Sequence, residues 1–141
     1  MESLGYLLDR ALWILSSALG KAFKERGIDL PHSQYIIMRL LDEQDGTSQN
    51  RLAALLHKDA AAIKRSIDIL EKKGLVSRKA LTGRKNGICL TEKAKALMPE
   101  VKAVADGVLG GTFGQTEEAR RTCILFLESI YRFYTEKDNQ E

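Results

Sequence analysis

The chain has little of what a catalyst, a metal site or a secreted scaffold is built from. Of its 141 residues only two are cysteine, Cys89 and Cys123, and only two are histidine, His32 and His57. The cysteines lie far apart and match no metal-binding or redox spacing, which argues against a disulfide framework. Two histidines with no thiol near them in sequence argue against a zinc site, which takes about four ligands of these types. No paired carboxylates, nucleophile–base set or phosphate-cradling glycine loop stands out, so the residues point away from an enzyme and no cofactor is expected. No apolar run approaches the roughly 18 residues needed to span a bilayer, and the N-terminal stretch lacks the layout of a signal peptide. A cytoplasmic protein with no membrane partner is the expectation. Repeats and low-complexity tracts are missing too, and the length suits one domain, residues 1–141.

What is present is unevenly placed. From Lys58 to Lys85 nine Lys or Arg residues stand against Asp59, Asp68 and Glu71, a segment charge of +6. Since the whole chain carries +3, the remainder is −3. A basic segment on an acidic body fits a nucleic-acid binder, although a solvated charged face fits equally on charge alone.

Apolar periodicity sorts the chain into elements. Leu4, Leu8, Leu12, Leu15, Leu19 and Phe23 form a helical stripe that stops at Gly27. Pro31 opens a second helix, apolar on several sides through Tyr35, Ile36, Ile37, Met38, Leu40 and Leu41, and Asp45–Gly46 ends it. Ser48 caps a short helix whose Leu52, Leu55 and Leu56 face inward. Asp59 caps the next, "AAAIKRSIDILEKK", with Ala60, Ile63, Ile67 and Leu70 buried and Gly74 at its end. A two-stranded hairpin follows, with Leu75, Val76, Ile88 and Leu90 around a polar tip and Asn86–Gly87 as the turn signal. Thr91 caps a long helix that Pro99 is expected to kink or break. Thr116 caps the last one, on whose apolar stripe Cys123 is expected to pack.

Two helices joined by a tight turn, the second one basic, make a helix-turn-helix pattern. A hairpin with a basic tip directly after it makes a winged helix. The physical logic is groove geometry: the second helix fits the DNA major groove and the hairpin reaches along the phosphates. The fold class expected is mainly α with a small β-hairpin wing.

The stretches "LPHSQYIIMRLL", "TSQNRLAALLHKDAAAIKRSIDILEKKGLVSR" and "GRKNGICLTEKAKAL" resemble the MarR family of winged-helix transcription regulators. The likeness runs from about residue 30 to 98, and the flanking helices fit by architecture alone. It implies a DNA-binding part at 30–91, and dimerisation helices at 1–29 and 92–141 that interleave between two chains. It also implies effectors that are often small aromatic compounds. Carried over position by position, the base-reading residues fall on Ala61, Ala62, Lys64 and Arg65, where the first two are often Ser or Thr in the family. The wing motif, aspartate, any residue, arginine, falls on Thr82, Gly83 and Arg84, so its arginine is kept and its aspartate is not.

Ser48, Arg78 and Lys85 complete the expected DNA-contacting set. Lys72 and Lys73 have a simpler reading as cations at a helix C-terminus. Trp13, Tyr35 and Met38 are candidates to line an effector pocket, with ordinary packing as the alternative. The expected function is a homodimeric regulator of transcription, a repressor, bound to a pseudo-palindromic double-stranded DNA site and modulated by a small molecule. The alternative is a winged helix that meets an acidic protein partner.

Overall fold

A computed structural model describes residues 3–80, 86–110 and 116–138. The elements run α1 (Leu4–Glu25), α2 (His32–Glu43), β1 (Thr47–Ser48), α3 (Gln49–Leu56), α4 (Ala60–Lys72), β2 (Val76–Ala80), β3 (Asn86–Leu90), α5 (Glu92–Gly110) and α6 (Glu117–Asp138). The chain divides into two compact units, residues 1–105 and 106–141.

In the first unit α2 is the central element, with Ile37, Met38 and Leu41 entirely buried. Leu52 of α3, Ile67 and Leu70 of α4, Ile88 of β3 and Met98 and Val101 of α5 are also among its fully buried side chains. Each of these positions recurs at the period of its own element, which is why the apolar pattern predicts them. Only the second half of α1 joins this core, through Leu19 and Phe23. Its first half leaves Leu4, Leu8, Leu12, Trp13 and Ile14 exposed.

Side-chain caps set several boundaries. The Ser48 hydroxyl accepts from Arg51 N at 3.2 Å, and Asp59 Oδ2 accepts from Ala62 N at 3.2 Å. Each satisfies one of the orphan amides at a helix start. Gly27, Gly46 and Gly74 take positive φ where α1, α2 and α4 end. Pro31 stands at the cap position of α2, and its carbonyl accepts from Gln34 N and Tyr35 N.

The sheet departs from the two-stranded expectation. It has three strands in the order β1-β3-β2, all antiparallel, because Thr47 pairs with Ile88 and Ser48 with Gly87. A two-residue strand is too short to leave a period in the sequence. The register of β2 and β3, Val76 with Leu90 down to Ala80 with Asn86, also makes Asn86 and Gly87 ladder residues rather than the turn. The turn preference of Asn-Gly is overridden by pairing on both sides of β3. Pro99 does not break α5, which continues from Glu92 to Gly110. Ala60, expected inside, is exposed at the first turn of α4.

The second unit contains the long helix α6. Leu125, Phe126, Leu127, Tyr131, Phe133 and Tyr134 are exposed on it, and so is Cys123, which the stripe had placed among packed residues.

Candidate DNA-reading face

The turn between α3 and α4 is three residues, His57 to Asp59. His57 adopts a left-handed conformation, φ 50° and ψ 45°, and its amide donates to Ala54 O while Lys58 N donates to Ala53 O. This reversal stops α3 abruptly and lets Asp59 start α4 within two residues. Ile63, Ile67 and Leu70 then anchor α4 to the core. The rotation that buries them puts Ala61, Lys64 and Arg65 on the exposed side, with Ala62 half-buried between.

These four residues form one open patch at the start of the helix. Ala60, Ala61 and Ala62 extend no further than a methyl group, so a rigid partner can approach the backbone closely. Lys64 reaches back to Asp68, Nζ to Oδ2 2.9 Å, an exposed pair one turn apart. Such a pair is weak and easily exchanged for another anion. The exposed Arg65 side chain makes no hydrogen bond or ion pair with the described residues, and its guanidinium carries five donors. The Ser48 hydroxyl oxygen accepts from Arg51 N to cap α3, and among the described residues its proton donates to no partner.

Arg78, one of the expected DNA contacts, lies on β2 beside α4. Its guanidinium is bound to two carboxylates of α4, Nη2 to Asp68 Oδ1 at 2.6 Å and Nη1 to Glu71 Oε1 at 2.7 Å. Hydrogen bonds from Lys64 first and Arg78 second hold the Asp68 carboxyl below its ordinary value. Sequence reading missed this cluster, though the signal is there: Asp68 and Glu71 are three apart and share a helix face. Thr82, Gly83, Arg84 and Lys85 lie outside the described residues.

Lys73 is structural. Its ammonium donates to Asp29 O at 2.9 Å and to the buried Gln34 Oε1 at 2.7 Å, which fixes the loop before α2 against the end of α4. The three candidate effector residues differ widely in exposure. Trp13 is 73% exposed, Met38 is fully buried, and the half-buried Tyr35 meets the Phe23 ring at a tilt, centroids 5.7 Å apart. A cavity of about 470 Å³ beside α1 and the start of α2 is lined instead by Ser16, Ser17, Gly20, Lys21, Lys24, Asp29, Leu30, Pro31 and His32. Among the described residues no group of three or more His, Cys, Asp or Glu can hold a metal ion, and no helix is long and apolar enough to cross a membrane.

The geometry is that of a winged helix with its reading helix bare at the start. A model of the MarR family matches residues 30–83, from just before α2 into the wing. CouR from Rhodococcus jostii RHA1, whose crystal structure is bound to p-coumaroyl-CoA, is 30% identical with a TM-score of 0.79. The alignment covers 92% of this chain and 91% of that one. The chain belongs to the MarR family. A MarR-family transcriptional regulator from Rhodococcus sp. RHA1 is similar at 29% identity and TM-score 0.81, over 92% of this chain and 97% of that one. The HTH-type transcriptional regulator TtmR of Methylorubrum extorquens (strain PA1) is 27% identical over 133 residues, 92% of this chain and 68% of the relative. As a MarR-family protein the chain is a DNA-binding transcription regulator and not an enzyme.

Proposed function

We propose that the protein is a homodimeric repressor that reads a pseudo-palindromic operator with α4 and is controlled by a small-molecule ligand. The open start of α4 carries this reading. Ala61 and Ala62 let the helix sink into the major groove, where their methyls meet thymine methyl groups. Lys64 and Arg65 supply hydrogen bonds to base edges one turn later, and Ser48 donates to a phosphate. Arg84 and Lys85 of the wing are assigned to the flanking backbone and minor groove. Residues 30–91 make up the DNA-binding part, and 1–29 with 92–141 the dimerisation part.

Dimerisation is supported by apolar surface that one chain leaves in water, Leu12, Trp13 and Ile14 on α1 and Leu125, Phe133 and Tyr134 on α6. A second copy covering these faces would carry a second α4, and two such helices about 34 Å apart match one turn of DNA. Ligand control is supported by the relative CouR, crystallised with p-coumaroyl-CoA. The cavity beside α1 offers hydroxyls and the Lys21 and Lys24 ammonium groups to an anionic compound. The site of action is the cytoplasm, where the operator is.

Selection of bound sequences from random duplexes, paired with sedimentation of the free protein, tests this. A dimer that enriches an inverted repeat is the expected result. Equal, weak binding to every duplex would instead favour a winged helix used for contact with an acidic protein.

A further inference from the structure

Arg78 ties the wing to the reading helix. It is the third residue of β2, its side chain is only 26% exposed, and each arm of its fork holds a separate carboxylate of α4. Asp68 is shared: Oδ1 takes Arg78 and Oδ2 takes Lys64. A continuous ionic chain therefore runs from Lys64 on the reading face, through Asp68 and Arg78, to Glu71. A planar guanidinium bound at both ends restrains direction as well as distance, which a single-point lysine contact does not.

We propose that Arg78 is a positioning residue for DNA recognition rather than a phosphate contact. By clamping Asp68 and Glu71 it fixes the direction in which β2 leaves α4. The Asp68 carboxyl, held below its ordinary value by Lys64 and Arg78, stays charged for this purpose throughout the physiological range. The inference rests on the DNA-binding reading of α4, and the two fail separately in the experiment below.

The decisive variant is Asp68→Asn, because the two readings give it opposite signs. If Arg78 were a phosphate contact restrained by Asp68, removing the carboxylate would free its guanidinium for the DNA and tighten binding. As a clamp, Asp68→Asn weakens operator binding by about tenfold, Arg78→Gln does the same, and the double variant is no weaker than either single one. The salt dependence supplies an independent readout. A lost phosphate contact lowers the slope of log K against log salt by about 0.9, whereas loss of the clamp leaves the slope at its wild-type value. Tighter binding by Asp68→Asn, or a reduced slope for Arg78→Gln, overturns the proposal.

Hydrogen exchange tests the clamp without DNA. Amides of Val76–Arg78 and Ile88–Leu90 should exchange faster in both single variants, with those of Ile37–Leu41 unchanged, which also shows that the variants fold. Unaltered exchange in β2 and β3 overturns the proposal even if wild-type protein prefers no duplex. Absence of any such preference in the wild type would by itself sink only the DNA-binding reading.

Discussion

The hydroxyl of Thr91 and the carbonyl of Gly74 are 2.6 Å apart, which joins the end of α4 to the start of α5. The same oxygen accepts from Ala94 N at 3.2 Å, and Thr91 N donates to Leu75 O at 3.1 Å. One side chain thus caps α5 and closes the strand pair below the wing. Thr91→Val keeps the shape and removes both side-chain bonds. Chemical denaturation should show a loss of about 1–2 kcal/mol. A change near zero would mean that water replaces both bonds without penalty.

Arg65→Ala should reduce discrimination more than adhesion. If its guanidinium bonds a guanine in two places, the variant loses about 1–3 kcal/mol on the preferred site and little on mismatched duplex. Titration of both duplexes at one salt concentration measures the difference. Equal losses on the two would make Arg65 a backbone contact.

His57 is the one residue other than glycine with positive φ among the described residues. A β-carbon in this conformation costs about 1–2 kcal/mol, and glycine gives back about 0.5–1 of that through its freer unfolded chain. His57→Gly should therefore raise stability by up to about 1.5 kcal/mol, read as a higher thermal midpoint. A lower midpoint would show that the imidazole's own contacts outweigh the backbone term.

His32 should make stability fall with acid. Burial first, and the nearby charge of Lys58 second, hold its imidazole below the ordinary value, and its buried Nδ1 has no hydrogen-bond partner among the described residues. The unfolded chain takes up this proton at higher pH than the folded one. The contribution is therefore complete above the unfolded value of about 6.5 and is lost as pH falls through the lower folded value. Thermal midpoints at pH 5, 6, 7 and 8 should drop on the acidic side for the wild type and drop less for His32→Phe. Identical slopes for the two proteins would rule this out.

Much of this architecture is legible in the residues because period and capping agree. Ile63, Ile67 and Leu70 name the buried side of α4, and Ser48, Asp59 and Thr91 name where three helices begin. What stays hidden depends on partners distant in sequence. Arg78 reads only as a candidate DNA contact until β2 folds back over Asp68 and Glu71. Lys73 reads as a helix-end charge until Gln34, 39 positions earlier, is packed beside it. Asn86–Gly87 carries a local turn preference that loses to ladder bonds on two sides. The exposed stripes of α1 and α6 follow the same rule: periodicity marks an apolar face but does not name what covers it.

Ser48 belongs to two structures at once, paired with Gly87 in the sheet and capping α3 through its hydroxyl. The wing is consequently not an arm hung from the C-terminal end of α4 alone. It is hinged at both ends of the helix-turn-helix, through Arg78 at the far side and through Ser48 at the near one. A force applied to β3 is delivered to the first turn of α3 within one residue. The helix-turn-helix and the sheet therefore form a closed frame, joined at Ser48 on one side and at Arg78 on the other.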